Sequence, residues 1–499
     1  MCASSVEGSC LPAGGVEGPA ALRPLTEAVL GALASGAVER GGPLPAGGPE
    51  RVRRAVRGVV GPAVPEWGVG AEAALRDLVG VLAAGAADPA DPLCAAHLHC
   101  PPLAVAAAAD LAVSALNPSM DSWDQAPAAS ELEAVTCREL AGRVFAGRGS
   151  SGAGGGVPDA LVTTGGTESN QLGVLLAREV LGPEVRVVCG EFAHHSVHRA
   201  AWLLGLRAPV VVPSPAGVLE ASALERVLSE LVPESGAAGP RVLVVATAGT
   251  TDTGAVDPLA EVAAVVRRFG VRLHVDAAYG GSLLFSERLR GLLAGVECAD
   301  SVTLDLHKLG WQPVAAGLFV VPEGGALRPL DHRADYLNAD DDTEAGLPDL
   351  LGRSLRTTRR PDVVKVAVTL RALGWRGLGA LVERTCGLAE EFADLVAKDA
   401  RFELFGRPGL STVLFRPVGA GAGVVAQVRR SLLASGSAAL GRAEVGGGLW
   451  LKATLLNPWS RVADLSGLLE LVAGAVPSRP GAWSGAGCGA GAGEGSAGS

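Results

Sequence analysis

Short runs rich in valine alternate with amphipathic helical stretches in the middle of the chain. The runs read VRVVCG, PVVVPS, RVLVVATAG, VRLHVDAAY, SVTLDL and GLFVV. Helical periodicity fills the intervals, as in residues 255–270. Buried strands that alternate with helices form a mostly parallel sheet, and such sheets bind ligands at the carboxyl ends of their strands. The sequence therefore predicts an α/β domain with a functional site at that edge.

The alternation also indicates where the domain boundaries fall. Residues 1–22 and 476–499 are rich in glycine, alanine and serine, and we expect them to be disordered tails. Residues 23–100 are expected to form a helical segment, and residues 101–368 the large ligand-binding domain. Residues 369–475, with the runs STVLFRPV and LWLKATLLN, predict a small α+β domain.

Charge and cysteine usage exclude several classes of protein. A net charge of -10 and a pI near 5.4 argue against nucleic-acid binding, which requires a concentrated basic surface. Asp110 interrupts the most apolar stretch, and we expect no membrane span. The first residues lack the pattern of a secretory signal. Nine cysteines without a CxxC pair favour reduced thiols over a disulfide or zinc framework, which predicts a cytoplasmic protein.

Lysine is scarce in this chain, and Lys308 follows a histidine in LDLHKLG. Only four lysines occur among 42 basic residues, so arginine serves wherever a plain positive charge suffices. A lysine amine can lose its proton when desolvated and attack a carbonyl to form a Schiff base, which a guanidinium cannot do. Lys308 is therefore a candidate nucleophile.

Three other segments carry polar residues at the ends of predicted strands. In LVTTGGTESNQ, Gly166 and Thr167 at a helix start would direct backbone N–H groups toward a phosphate, although such a motif taken alone is more often a capped turn. In EFAHHSVHRAA, three histidines crowd together without a carboxylate or cysteine at metal-ligand spacing, so stacking or surface roles are favoured over a metal site. Asp276 in LHVDAAYGG would keep a buried pyridine nitrogen protonated, or cap the next helix.

A phosphate cradle, a stacking imidazole, a carboxylate and an imine-forming amine together match pyridoxal 5'-phosphate (PLP). Residues of about 90–472 resemble the group II PLP-dependent amino acid decarboxylases, which have the fold of aspartate aminotransferase (fold type I). The resemblance rests on the motifs HLHCPPL, NPSMDSWDQAPAASELE, TTGGTESN, AHHS, ATAGTTDTGAVDPL, HVDAAYGG, DSVTLDLHK, SLRTTRR and LLNP. It implies a large domain with a mostly parallel seven-stranded sheet and a PLP-dependent carboxy-lyase. SWDQ, TTRR and LLNP are most similar to the bacterial branch that contains L-2,4-diaminobutyrate and lysine decarboxylases.

The resemblance also implies roles for individual residues. Lys308 would form the Schiff base with the cofactor, and Asp276 would pair with its pyridine nitrogen. His194 would stack on one face of the ring, and the methyl group of Ala278 would pack on the other. Asp305 lies beside these residues in the sequence without an assigned role.

Further residues are implied around the phosphate and at a subunit interface. Gly166, Thr167 and His307 would surround the phosphate, and Thr250 would lie beside the cofactor. Thr358 would reach the phosphate of a neighbouring subunit, so the resemblance implies a homodimer with active sites at its interface. The substrate would be an L-amino acid, with a diamino acid such as 2,4-diaminobutyrate or lysine favoured, and the products its amine and carbon dioxide.

Tyr336 bears on the type of reaction. It lies in HRADYLNADDDTEAGLPD, a polar stretch that predicts a loop, and it matches the tyrosine that donates a proton after decarboxylation in this family. A phenol on a closing loop would supply that proton and exclude water. An exposed loop tyrosine without a catalytic role is the alternative.

Two departures leave the substrate open. LGWQPVAAGLF follows the lysine where diamine-selective relatives carry an aromatic pair and serines, and His99 stands where HLN is usual; both are expected to line the substrate side. A distal ammonium on the substrate would need a carboxylate, and Asp124 is a candidate, with a role at the dimer interface as the alternative. A decarboxylation-coupled oxidase, an aminotransferase and a non-catalytic partner protein are the competing functions.

Overall fold

The chain folds around two β-sheets, of seven and five strands. The computed structural model describes residues 11–147, 156–215, 217–232, 239–331 and 340–477 of the 499-residue chain. Among the described residues, no helix combines the length and apolar character needed to cross a membrane.

Three helices come first: α1 Gly18–Arg40, α2 Gly48–Val60 and α3 Ala71–Gly85. Helix α1 begins within the range expected to be a disordered tail, because a proline in its first turn has the backbone angle that a helix start requires. Helices α1 and α3 pack closely, since a Cβ atom on Gly36 would lie 2.6 Å from that of Ala83. The short strand β1 Cys94–Ala95 follows.

The seven-stranded sheet lies at the centre of the large domain. Its strands are β2 Asp159–Thr163, β3 Arg186–Gly190, β4 Val210–Val212, β5 Val242–Thr247, β6 Arg272–Ala277, β7 Ser301–Asp305 and β8 Gly317–Val321. They are ordered β2-β8-β7-β6-β5-β3-β4, and within this sheet only β8 runs against its neighbours. The predicted fold class, with a mostly parallel seven-stranded sheet, is confirmed.

Helices connect the strands and cover the sheet. They are α4 Ala104–Leu116, α5 Pro127–Val144, α6 Gly166–Leu181, α7 Ser196–Leu203, α8 Ala221–Leu231 and α9 Leu259–Phe269. Every residue of β5 is buried, as expected for a central strand covered on both faces. Strands β2, β5, β6 and β7 all end at the same edge of the sheet.

Short helical turns lie between the longer elements. The 3₁₀ turns are Trp123–Gln125, Gly280–Phe285, Arg290–Leu293, Val296–Cys298, Gly324–Leu330 and Leu351–Arg353, and helix α10 covers Asp340–Glu344. The long helix α11 Val363–Lys398 is kinked at Gly374, whose backbone is not helical (φ 68°, ψ 173°). Helix α11 continues across the boundary expected at residues 368–369.

The five-stranded sheet is built mainly from the C-terminal part of the chain. Its strands are β9 Phe402–Leu404, β10 Thr412–Pro417, β11 Ala439–Val445 and β12 Gly448–Thr454, with helices α12 Ala422–Ser435 and α13 Val462–Gly474. Strand β1 joins this sheet by pairing parallel with β11. A segment before the large domain therefore completes the small one.

Tyr279 connects the two sheets. Its buried hydroxyl lies 2.8 Å from Ser411 Oγ and 3.0 Å from Thr412 Oγ1, and it accepts a hydrogen bond from the backbone N–H of Ser411. Burial raises the pKa of Tyr279 to about 12, so the phenol stays protonated. This connection holds the small sheet beside the edge where β5 and β6 end.

Candidate active site

A cavity of about 250 Å³ lies at the edge where β2, β5, β6 and β7 end, and we call it the sheet-edge cavity. Seven of the residues predicted for the site line it. Its lining residues are Leu98, Thr164, Gly165, Gly166, Thr167, Asn170, His194, Thr247, Gly249, Thr251, Asp276, Ala278, Tyr279, Asp305, His307 and Lys308. Because the parallel strands end together, residues more than 140 positions apart in the sequence meet here.

Lys308 enters the sheet-edge cavity from the turn after β7. Its Nζ atom lies 3.0 Å from Oδ2 of Asp305, and the two side chains are 19% and 2% exposed. The second carboxylate oxygen of Asp305 is buried and has no hydrogen-bond partner among the described residues. The turn thus places a primary amine in a largely desolvated site, together with a carboxylate that can bind one more hydrogen-bond donor.

Asp276 is the fifth residue of β6, and its side chain is almost fully buried. Asn170 donates a hydrogen bond to its Oδ2 atom at 2.7 Å, and the backbone N–H of Ala278 donates to its Oδ1 atom at 3.1 Å. These two bonds fix the carboxylate plane at the cavity wall. A cationic ring nitrogen placed there would find a buried carboxylate already oriented.

His194 lines the sheet-edge cavity at the loop that follows β3. Its Nδ1 atom lies 2.8 Å from Ser196 Oγ. Burial lowers the pKa of His194, although the negative charge of Asp276 opposes the shift. His195 and His198, the other two histidines of this segment, are exposed and do not line the cavity.

Glycines at the start of α6 leave room for an anion. A Cβ atom on Gly165 would lie 2.9 Å from Cε1 of His307, and one on Gly166 would lie 2.9 Å from Cβ of Ala278. Gly165 also has φ 143° and ψ -178°, a backbone conformation that is nearly confined to glycine. Thr167 follows in the first turn of α6, whose free N–H groups point toward the cavity end.

His307 borders the same glycines. Its Nδ1 atom accepts a hydrogen bond from the backbone N–H of Ala316 at 3.3 Å, and its Nε2 atom lies 3.6 Å from Asp305 Oδ2. Burial lowers the pKa of His307, with Asp305 opposing the shift. The neutral ring therefore carries its proton on Nε2 and acts as a hydrogen-bond donor.

Several predicted residues do not line the sheet-edge cavity. Thr250 is buried beside it, but its Oγ1 atom lies 2.8 Å from that of Thr253. Thr358 is exposed and donates to Asp121 at 3.2 Å. His99 and Asp124 are also exposed.

Two of the residues that follow the lysine lie in the protein core. Trp311 is fully buried, and its indole N–H donates to the carbonyl of Leu456 at 2.8 Å. Gln312 is buried and bonds to Gly310 and Thr369. Neither residue lines the sheet-edge cavity, because the turn directs both into the core. Tyr336 falls outside the described residues.

Sequence reasoning missed Asn170, which lines the sheet-edge cavity and donates to Asp276. Its Oδ1 atom accepts from Thr303 Oγ1 at 2.7 Å and faces His274 Nε2 at 3.0 Å. Its position four residues after Gly166, on the same face of α6, was the available signal. Lys452 was missed as well, although lysine scarcity marks it as clearly as Lys308. Its Nζ atom donates to the carbonyl of Thr251, a cavity residue.

These features fit PLP. The glycines provide space and N–H groups for a phosphate, Asp276 provides a fixed carboxylate, and Lys308 provides an amine. The strand order of the seven-stranded sheet and this set of groups together define a fold type I PLP-dependent enzyme.

Comparison with known proteins identifies the family. The pyridoxal-dependent decarboxylase conserved domain matches residues 61–418, and the chain belongs to this family of PLP-dependent amino acid decarboxylases. The L-2,4-diaminobutyrate decarboxylase of Rhizobium meliloti (strain 1021) is 38% identical over 418 residues, covering 82% of this chain and 83% of the relative. The enzyme of the same name from Acinetobacter baumannii is 35% identical, covering 76% and 78%.

Solved structures agree with this assignment. The glutamate decarboxylase domain of diaminobutyrate-pyruvate transaminase and L-2,4-diaminobutyrate decarboxylase from Vibrio parahaemolyticus superimposes with a TM-score of 0.81, at 28% identity, and covers 94% of this chain and 98% of that one. Oryza sativa TDC, solved with PLP and tryptamine, shares the fold with a TM-score of 0.80 at 24% identity, covering 93% and 98%. The predicted carboxy-lyase and its cofactor are thus confirmed, and the non-catalytic alternative is not supported.

Proposed function

We propose that the enzyme removes the α-carboxylate of an L-diamino acid, with 2,4-diaminobutyrate as the first candidate and lysine as the second. The observation that carries a decarboxylase site is that Lys308 and Asp276 line one cavity, where they can hold opposite ends of a single small ring. Two relatives that align with at least three quarters of the chain act, by name, on L-2,4-diaminobutyrate, which supports the diamino acid.

We propose the following roles at the cofactor. PLP, when bound, supplies an electron sink that weakens the bonds at the α-carbon of an attached amino acid. Lys308 would hold it covalently, and Asp276 would keep its ring nitrogen charged. His194 and Ala278 would pack on the two faces of the ring, which fits their positions on the cavity wall.

We propose that Gly166, Thr167 and His307 hold the phosphate. Their support is the space left by the glycines and the Nε2–H of His307 beside them. The proposal that Thr250 lies beside the cofactor rests on its sequence motif alone, since its hydroxyl faces Thr253. Tyr336, outside the described residues, is proposed as the proton donor from its motif alone.

A distal ammonium on the substrate requires a partner. A buried ammonium without a counter-charge is costly, so a diamino acid needs a carboxylate in reach. Asp124 and His99 are exposed in the single chain, so a substrate role would require a second subunit to bring them to a site. A structural role for Asp124 at a dimer interface is equally compatible with its position.

A substrate panel tests this proposal. Purified enzyme supplied with PLP would be incubated with L-2,4-diaminobutyrate, ornithine, lysine, glutamate and aromatic L-amino acids, and carbon dioxide and amine would be measured. Lys308→Arg is the matched control, because arginine keeps the charge but cannot form a Schiff base. We expect carbon dioxide from a diamino acid and none with the control. Preference for glutamate or an aromatic amino acid would overturn the substrate class.

The products distinguish the competing reactions at the same site. A decarboxylation-coupled oxidase would yield aldehyde and hydrogen peroxide, and an aminotransferase would require a keto acid. We expect amine and carbon dioxide in equal amounts without peroxide, because Tyr336 is present to donate the proton. Peroxide in proportion to carbon dioxide would show the oxidase instead.

We propose a homodimer. Helices α1 to α3 and the connection between α2 and α3 expose several large apolar side chains, which favours an interface that covers them. Examples are Leu33, Val38, Trp67 and Leu82, which are 45%, 82%, 72% and 68% exposed. Light scattering would give the mass of the particle in solution, and a monomer would refute the proposal.

If the active sites lie at the dimer interface, each site also contains residues of the neighbouring subunit. If Thr358 acts on the neighbouring subunit, inactive Lys308→Ala and impaired Thr358→Val chains should regain activity when refolded together, since one mixed site is then intact. No gain on mixing would place Thr358 outside the partner's site.

We propose a cytoplasmic location. Six cysteines of the described residues are free thiols, which fits a reducing compartment. Cell fractionation with an antibody would test it.

A further inference from the structure

The buried amide of Asn170 lies between two residues of the sheet-edge cavity, Asp276 and His194. Asn170 is 1% exposed. Its Nδ2 atom lies 2.7 Å from Asp276 Oδ2 and 2.8 Å from Ser196 Oγ. Ser196 Oγ in turn lies 2.8 Å from Nδ1 of His194. Asn170 and Ser196 therefore form a continuous path from the carboxylate to the imidazole.

The orientation of the Asn170 amide is determined by its neighbours. The carboxylate of Asp276 can only accept, so the atom that faces it must be the NH₂ group. The opposite side agrees, because the hydroxyl of Thr303 and Nε2 of the buried His274 converge on the amide oxygen. A flipped amide would place oxygen against carboxylate oxygen at 2.7 Å. Both N–H bonds of Asn170 are therefore donated, one to Asp276 and one to Ser196.

This orientation determines the direction of the next hydrogen bond. Since Ser196 Oγ accepts from Asn170, its own hydrogen is free to point at His194 Nδ1. The backbone N–H of Ser196 faces the same nitrogen at 3.4 Å. Two donors converge on Nδ1, which must then present its lone pair, and the proton of the neutral ring lies on Nε2.

We infer that Asn170 and Ser196 are positioning residues that keep His194 neutral, with its proton on Nε2, and so reserve the charge of Asp276 for the bound ligand. This inference rests on the proposed role of the cavity as the cofactor site. A protonated imidazole would bring a positive charge beside Asp276 and compete with the ring nitrogen for it. A neutral ring offers instead a flat face and one hydrogen-bond donor.

The other charged groups around His194 do not enforce this state. Asp276 and Asp305 favour a protonated ring, whereas Lys308 and His195, when charged, disfavour it. Because these charges act in opposite directions, the tautomer is determined by the direct hydrogen bonds at Nδ1. Ser196, which is fully buried, supplies both of them.

Ring-nitrogen spectra of the cofactor-free enzyme test the inference. The protein would be labelled with ¹⁵N-histidine, and the signal of His194 among the eight histidines would be identified by its loss in His194→Asn. We expect a neutral ring protonated on Nε2 from pH 8 to well below pH 7. In Ser196→Ala we expect both tautomers, and a midpoint of protonation raised by about one pH unit, the scale of one lost hydrogen bond.

The matched control is Ser130→Ala, which removes another buried serine hydroxyl, in α5 and outside the cavity; its bond goes to the carbonyl of Ala126. We expect it to leave the His194 signal unchanged. Asn170→Ala should change that signal in the same direction as Ser196→Ala, but it also removes one hydrogen bond from Asp276 and one from His274, and so lowers stability. If Asn170→Ala fails to fold, the spectra of Ser196→Ala still test the inference.

A proton on Nδ1 in the wild-type enzyme, or an unchanged tautomer in Ser196→Ala, would overturn the inference. The spectra need neither PLP nor substrate. A failed decarboxylation assay with the expected tautomer would therefore count against the proposed function alone, and the reverse result against the positioning role alone.

Discussion

The amine of Lys308 lies 3.0 Å from the carboxylate of Asp305, three residues earlier on the same turn. Strand β7 ends at Asp305, so the strand fixes the carboxylate and the turn returns the amine to it. With Asp305 only 2% exposed, this pair is a feature of the buried site rather than a surface ion pair. Lys308 therefore has a structural role in addition to the chemical role that we propose for it.

Substitutions of Lys308 separate these two functions. Lys308→Ala leaves Asp305 without its counter-ion, and we expect it to lower the free energy of unfolding by about 1–3 kcal/mol, less than for a fully buried pair because Lys308 is partly exposed. Lys308→Arg should retain most of the stability. Neither variant should show the absorption band of covalently held PLP or a product of borohydride reduction. Denaturant unfolding and spectroscopy measure the two effects, and covalent PLP in Lys308→Ala would refute the assignment.

A methyl group on Gly166 should disturb the proposed phosphate site, because the cavity wall beside it would have to shift. The new Cβ atom would lie 2.9 Å from Ala278 Cβ and 3.0 Å from Asp305 Oδ2, so the start of α6 or these side chains must move. We expect Gly166→Ala to weaken PLP binding at least tenfold, as measured by fluorescence titration of the cofactor-free enzyme.

Gly142→Ala is the control for that substitution. Gly142 lies within helix α5 with nothing inside 4 Å of its Cβ position, so alanine there should raise stability by about 0.5–1 kcal/mol without changing PLP affinity. Equal PLP affinity in the two alanine variants would contradict a phosphate site at Gly166.

The fold of the large domain could be predicted because its strands can be recognised from short stretches of sequence. All six valine-rich runs form strands of the central sheet, since a strand covered on both faces is apolar at nearly every position. Strand β1 gave no such signal, because two residues define no period and their partner β11 lies more than 300 residues away. The non-helical backbone at Gly374 divides α11 into two helical segments, and the first already crosses the expected boundary, which no boundary rule anticipates.

The site was predictable where a residue's role follows from the end of its strand. Asp276 and Lys308 are of this kind. Thr250 is not, because its buried side chain turns toward Thr253 within a local turn. Asn170 was hidden for a different reason: its role depends on four partners, such as Asp276 and Ser196, that come together only after folding.

Lysine scarcity proved to be a sign of burial as much as of chemistry. Lys365 is fully buried and donates to Asp362 at 2.9 Å, and the side chain of Lys452 is 8% exposed. Only Lys398 of the four is an exposed lysine. A slender ammonium group fits enclosed sites where the wide guanidinium does not, so three of the four lysines mark enclosed sites and Lys308 alone lines the cavity with its side chain.

The ion pair of Glu133 and Arg359 should be the strongest electrostatic contact between α5 and the segment before α11. Both oxygens of Glu133 accept from the guanidinium at 2.6 Å, and both side chains are at most 4% exposed. Glu133→Ala leaves a buried cation unpaired, and we expect a loss of about 3–5 kcal/mol in denaturant unfolding.

The exposed pair of Glu50 and Arg53 is the comparison for this prediction. Glu50→Ala should change stability by less than about 1 kcal/mol, since water solvates either partner alone. Replacing both Glu133 and Arg359 by methionine should cost less than Glu133→Ala, because no unpaired charge then remains. A larger loss for the double variant would mean that the pair itself, and not the unpaired cation, carries the stability.

His274 should make the protein sensitive to mild acid. It is fully buried, with Nδ1 2.8 Å from Ser301 Oγ, and burial lowers its pKa from 6.5 to about 4. Between these values the unfolded chain binds a proton that the folded chain does not, so stability present above pH 6.5 falls as the pH drops and levels off below about 4. The expected loss is on the order of 3 kcal/mol.

Urea unfolding of wild type and His274→Gln at a series of pH values from 7.5 to 4 would measure this contribution. The variant should be less stable than the wild type at pH 7.5, since it packs less well, and the difference should shrink as the pH falls. Asp257, whose pKa burial raises to about 6, titrates in the opposite sense in both proteins and cancels in the comparison. His198→Gln, at an exposed histidine, should follow the wild type throughout. A constant difference between wild type and His274→Gln across this range would mean that the imidazole binds its proton equally well in the folded and unfolded chains, which would contradict the pKa lowered by burial.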